Sequence, residues 1–135
     1  MAVNYYRPGL GNVGSFQTSG IPWVSSSVTC PQSGTSTPAT RIDFPYVTKK
    51  LVVRSDSGDI RVGFSDRGVR GMDGNKYYFT LASGASLELD FKVSRVYLYS
   101  DASTGGTRLA TVVAGLTSID PEQLKTNWSG AAGVG

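Results

Sequence analysis

Between Ile42 and Ile119 the apolar residues recur with a period of two rather than 3.6. Leu87, Leu89, Phe91 and Val93 alternate strictly with Glu88, Asp90 and Lys92. Successive side chains of a strand point to opposite faces, so this spacing predicts a half-buried strand with those four apolar residues on one side. Ile60 to Ser65, Tyr77 to Leu81 and Arg95 to Ser100 alternate in the same way. Leu51-Val52-Val53 and the run from Leu109 to Leu116 are fuller apolar stretches, the pattern of strands covered on both faces. Ile42 and Phe44 predict a short strand closed by Pro45.

Turn chemistry separates these runs. Asp56-Ser57-Gly58-Asp59, Ser83-Gly84-Ala85-Ser86 and Ser103-Thr104-Gly105-Gly106 each supply a glycine at a strand boundary. Asp66 to Asn75, with Gly68, Gly71 and Gly74, reads as an exposed loop. Helical spacing is confined to Asp120-Pro121-Glu122-Gln123-Leu124-Lys125, with Asp120 as N-cap and Pro121 as first helical residue. The resulting strands are Trp23–Cys30, Arg41–Phe44, Val47–Arg54, Asp59–Ser65, Lys76–Ala82, Ser86–Val93, Arg95–Asp101 and Thr107–Thr117. Eight short antiparallel strands around one core predict an all-β fold, a single jelly-roll sandwich. An immunoglobulin-like sandwich is the rival, but its Cys…Trp…Cys signature is missing, since Cys30 stands alone. The expected organisation is an extended N-terminal arm over 1–21, the sandwich over 22–119, and a short helical turn with a Gly/Ala-rich tail over 120–135. A chain of 135 residues suits one such domain.

Charge divides the chain unevenly. Residues 1–40 hold one charged side chain, Arg7, while residues 41–100 hold ten Lys/Arg and seven Asp/Glu. The first forty residues contain twenty-one Gly, Ser, Thr and Pro, interspersed with Tyr5, Tyr6, Leu10, Phe16, Ile21 and Trp23. A disordered solubilising tail is charged and poor in aromatics; this segment is the reverse. Trp128 and the Ser129–Gly135 stretch repeat that character at the other end. Such aromatics are buried only against a surface, either of their own domain or of a neighbour's; on the second alternative Tyr5, Tyr6, Arg7, Leu10, Phe16, Trp23 and Trp128 are the candidate subunit-interface residues.

The absence of His excludes Ser-His-Asp and Cys-His catalysis and histidine-ligated metals. No catalytic, metal or cofactor residue is therefore assigned, and no enzymatic activity is expected. Asp56, Asp59, Asp66 and Asp73 match no calcium-loop spacing and read as turn residues. Gly9-Leu10-Gly11-Asn12-Val13-Gly14 fits G-x-G-x-x-G formally, but it follows Arg7-Pro8 rather than a strand and opens no helix. The basic residues are interleaved with acids, which argues against direct nucleic-acid binding despite a net charge of +3. No apolar run is long enough for a membrane span, and no cleavable leader is visible. Cys30, without a His partner, reads as a small buried residue, and Asn127-Trp128-Ser129 is a formal glycosylation sequon. Arg67, Arg70, Tyr78 and Tyr99, with Tyr77 and Tyr97 beside them, are the candidate ligand-facing residues of a glycan- or receptor-binding module such as a fibre head.

The uncharged aromatic arm from Asn4 to Gly14, the compact domain with Ile60–Phe64 and Leu87–Val93, and the Gly/Ala tail together resemble the short single jelly-roll capsid proteins of icosahedral DNA viruses and phages. The resemblance implies a penton or minor capsid protein, or a decoration protein. It implies a homo-oligomer, a pentamer before a trimer, beside the major capsid protein in the virion after assembly inside the host cell. It carries over no catalytic residues.

Overall fold

The computed structural model describes residues 20–33, 37–71, 76–101 and 107–120. Eight strands are present: β1 (Ile21–Cys30), β2 (Thr40–Asp43), β3 (Thr48–Ser57), β4 (Ile60–Gly63), β5 (Tyr78–Leu81), β6 (Ser86–Leu89), β7 (Arg95–Ser100) and β8 (Arg108–Leu116). They form two four-stranded antiparallel sheets, ordered β1-β8-β3-β6 and β2-β7-β4-β5. Each sheet alternates strands from the two halves of the chain. That order arises when a long antiparallel ribbon, pairing β1 with β8, β2 with β7 and β3 with β6, is rolled so that the ribbon's successive pairs fall in opposite sheets. The fold is thus the predicted jelly roll.

The inner faces meet in one apolar core. Leu51, Val53, Ala110, Val112, Ala114 and Leu116 come from the first sheet, and Ile42, Ile60, Val62, Leu81, Val96 and Leu98 from the second. Trp23 closes one side with its ring edge-on to Phe44, centroids 4.9 Å apart. Cys30 is buried in the same core, and burial pushes its thiol up to about 12.

Irregularities in the strands decide which residues face inward. In β1, Ser25 pairs with Val112 and Val28 with Ala110, so Ser26 and Ser27 together stand opposite Thr111. This bulge places Ser27 at φ 56° and resets the alternation. Trp23 and Ser25 before it, and Val28 and Cys30 after it, consequently all point at the core. A second shift between Thr48 and Lys50 does the same for β3.

Two local expectations are corrected. The segment after Asp66 is not a plain exposed loop: Asp66–Arg70 forms a short helix, α1, with Gly68 and Val69 buried. The alternation through Val93 does not yield one long strand, because β6 ends at Leu89 and Phe91 is 46% exposed. Residues 91–94 are instead pinned by Thr48, whose hydroxyl donates to the Phe91 carbonyl and accepts from the Val93 N–H. Phe91 turns toward Phe64, with centroids 6.0 Å apart. The expected helical turn after Asp120 lies outside the described residues.

Candidate functional site

Each sheet has an outer face, and the two are treated differently by the chain. On the β2-β7-β4-β5 sheet the outward residues are Tyr97 and Tyr99 from β7, Arg61 and Gly63 from β4, and Tyr78 and Thr80 from β5. Helix α1 lies over them. It starts at Ser65, whose side chain accepts the Gly68 N–H, and stops at Gly71 in the left-handed region at φ 70°. A Cβ on Gly63 would stand 3.0 Å from the Val69 side chain and from the Tyr77 carbonyl, so a larger residue there would crowd the helix off the sheet by a few tenths of an ångström. Val69, Tyr99 and Ala39 form a small second core beneath it, with Tyr78 and Tyr97 at its edge.

The charges of this layer are spent on one another. Arg61 places its guanidinium carbon 4.5 Å from the Tyr78 ring centroid, and its Nε donates to Asp101 at 2.7 Å. Arg70 pairs with Asp66 one helical turn away at 3.3 Å, and the other Asp66 oxygen accepts the Ala39 N–H. Burial works against the Arg70 charge, but its hydrogen bonds to Asp66 and Tyr99 outweigh that and raise its pKa.

The structure therefore brings Arg70, Tyr78 and Tyr99 together, but as the seat of α1. Tyr99 is 1% exposed, which corrects the expectation that it faces a ligand. Tyr78 is half-buried beneath Arg61, whereas Arg67 is exposed on the outer side of α1. Arg61 and Asp101 complete the cluster. In the sequence, Asp101 is forty residues from Arg61 and unremarkable, and only the β4–β7 register joins them.

On the β1-β8-β3-β6 sheet the outer face has no helix over it among the described residues. Val24 on β1 stands beside Val113 on β8, which stands beside Val52 on β3. This row of valines crosses three strands, with Val24 66% and Val113 42% exposed. The neighbouring row is Pro22, Gly115 and Lys50, and Leu109 emerges further along β8. Ion pairs frame the valines on either side. Lys50 is bound to Glu88, while Asp56 accepts from Arg54 at 2.8 Å and from the Thr111 hydroxyl at 2.6 Å. The expectation that Leu51–Val53 and Leu109–Leu116 are covered on both faces thus meets a described structure that covers one.

Of the candidate interface residues, Trp23 is half-buried, its ring engaged with Phe44. Tyr5, Tyr6, Arg7, Leu10, Phe16 and Trp128 lie outside the described residues. The valine row is a surface that the aromatic residues did not announce. Its signal in the sequence is the doublets Val52-Val53 and Val112-Val113, since adjacent apolar residues in a strand place one side chain on each face.

No protein-family model matches the chain, and comparison with curated proteins also finds no match. Solved structures do share the fold. Hydroxypropylphosphonic acid epoxidase from S. wedmorenis in complex with fosfomycin matches with a TM-score of 0.44 at 16% identity, over 71% of this chain and 43% of that one. An oxalate oxidase matches with a TM-score of 0.40 at 15% identity, over 82% of this chain and 59% of that one. BH2720 from Bacillus halodurans matches with a TM-score of 0.41 at 10% identity, over 84% and 86%. This chain spans about two fifths of the epoxidase's length. The likeness is one of fold.

These neighbours correct the functional expectation. Two of the matches are described as an epoxidase and an oxalate oxidase, where the sequence led to a capsid, penton or decoration protein. The assignment to a viral shell is withdrawn, and with it the expectation that the chain has no enzymatic activity.

One of the neighbouring structures is described as an Fe(II) form, which raises the question whether the residues of this chain suit a metal. They do not fit one: the chain has no His, and the inner faces of the sheets present Leu, Val, Ile and Ala. Among the described residues no three His, Cys, Asp or Glu side chains stand together. No helix among them is long and apolar enough to cross a membrane.

Proposed function

We propose that the chain is a self-associating β-sandwich module and that copies meet on the outer face of the β1-β8-β3-β6 sheet. One observation carries this reading: strands β3 and β8 have the residue pattern of two-sided burial, yet Val24, Val113 and Val52 form an open row on one side. The occupant is a second copy. Three strands of nine or ten residues, about 30 Å long, and the four-residue β6, all about 4.8 Å apart, present on the order of 500 Å², somewhat under the ~800 Å² per partner of a standard interface. Charges of both signs border the valines and are already paired within the chain, so a partner covers them without stranding a lone ion.

Sedimentation velocity of the full chain across a wide concentration range tests the proposal. Association is expected, and Val24→Asp and Val113→Asp are expected to return a monomer with a nearly unchanged unfolding midpoint. A chain that stays monomeric at every concentration, or an assembly indifferent to both aspartates, would overturn it.

A further inference from the structure

The structure also points to what a partner sets on the valine row: we infer that residues 1–19 of a second copy lie across Pro22, Val24, Val113, Gly115 and Val52. The inference rests on the self-association reading and specifies its contact. Nineteen residues precede the described part of the chain, and they carry Tyr5, Tyr6, Leu10, Val13 and Phe16 with Arg7 as their single charge. Three aromatic side chains bury roughly 450–750 Å² between them, at 150–250 Å² each, which is the scale of a face of about 500 Å². The segment is apolar in composition, and the valine row is left open by the described residues.

Gly20 continues the line of β1 and lies so close to β8 that a Cβ there would stand 2.9 Å from the Gly115 Cα. The chain at that point is still in the plane of the sheet, running along its neighbour toward the end of the strand. Nineteen extended residues reach about 60 Å, twice the ~30 Å length of a ten-residue strand, so the segment spans well beyond the face it starts beside. The face itself offers a seat. Gly115 has no side chain between Pro22 and Lys50, and the space a Cβ would occupy is clear to 3.6 Å, leaving a dip beside Val113 for the edge of a ring.

Disulfide trapping between full-length chains tests this. A tagged Val113→Cys chain is co-expressed with an untagged Gln17→Cys chain and, in a second pairing, with Ser15→Cys. These variants bracket Phe16 and keep every aromatic residue. Cys30 is fully buried and does not compete. After mild oxidation, a mixed tagged–untagged disulfide is expected in both pairings, and adding Val24→Asp to the tagged chain is expected to abolish it.

A single chain carrying Gln17→Cys and Val113→Cys separates the alternatives. Intermolecular products that fade on dilution support the proposal. An internal loop that forms equally well at every dilution would place the segment on its own face and overturn it. Full chains that associate in the centrifuge without either mixed disulfide would overturn this inference and leave self-association standing. Full chains that never associate would overturn both.

Discussion

The two outer faces of this sandwich are built from similar material and finished differently. Both carry large apolar side chains: Tyr97 and Tyr99 from β7 and Tyr78 from β5 on one, and the row Val24, Val113 and Val52 across three strands on the other. The tyrosine face is capped by five residues of helix, and its two arginines are neutralised by Asp101 and Asp66. On the valine face Val24 and Val113 are left substantially exposed, and its ion pairs lie at the margin in water. The difference shows that a β-sheet face in this chain is closed by a small local element where one is to hand. Elsewhere an apolar row remains whose cover must come from other parts of the polypeptide or from another copy.

The sharpest way to break the comparison is to put a charge under each face in turn. Val69 is fully buried in α1 against the sheet, packed with Ala39 and Tyr99, and the layer's Arg61 and Arg70 are already paired with Asp101 and Asp66. Val69→Asp is expected to destabilise the fold by about 3–5 kcal/mol, the cost of an unpaired buried charge. Val113→Asp, on the open face, is expected to shift stability by about 0.5 kcal/mol or less while removing association. Urea titrations of both variants check this. Equal losses would mean that the valine face is as much part of the monomer's own interior as the helix seat.

Much of the fold was legible because period-two patterning survives wherever one face is buried. Strands β2 to β8 follow from alternation and apolar runs, and two of the turns from Gly58 and Gly84, which take positive φ as such turns need. What escaped was decided by tertiary contact. Helix α1 has only five residues and two glycines' worth of poor propensity around it. It exists because Val69 fits over Gly63 and Ser65 caps it, and neither fact has a periodic signature. Phe91 keeps the strand alternation in sequence yet lies outside the ladder, because Thr48 captures the backbone on either side of it. The candidate site was legible in part. Tyr78, Tyr99 and Arg70 do converge, but nothing local reveals that Asp66 and Asp101 arrive with them and turn a binding surface into a clamp.

A smaller effect sharpens how that clamp works. Arg61 is nearly enclosed, its side chain 17% exposed, with Tyr78 below and Asp101 alongside. Arg61→Met keeps the apolar stem but removes the cation, and is expected to cost about 1–3 kcal/mol through the lost charged hydrogen bond and ring contact. Screening reaches partly enclosed pairs weakly, so the loss should persist at high salt. A double-mutant cycle with Asp101→Asn, followed by chemical denaturation at low and high salt, measures it. A coupling energy of zero would show that packing alone holds α1 down.

The smallest expected effect belongs to the open face. Asp56 takes a hydrogen bond from Thr111 and another from Arg54, and these hold its carboxyl below the usual 3.8. A carboxylate whose folded pKa is depressed contributes stability above its unfolded value, and that contribution is lost as pH falls through the folded one. Asp56→Asn should therefore lower the unfolding midpoint slightly at neutral pH, by no more than exposed pairs usually give. The two proteins should converge as the pH falls past the ordinary carboxylate range and through the depressed folded value, where the wild-type side chain takes up its proton. Thermal unfolding of both across that window reads the convergence directly. Because Asp56 and Arg54 stand at the water-exposed margin, added salt should narrow the gap at neutral pH as well, in contrast to Arg61 and Asp101 on the covered face. A gap that survives both acid and salt would mean that Asp56 acts through the β3 backbone and not through its charge.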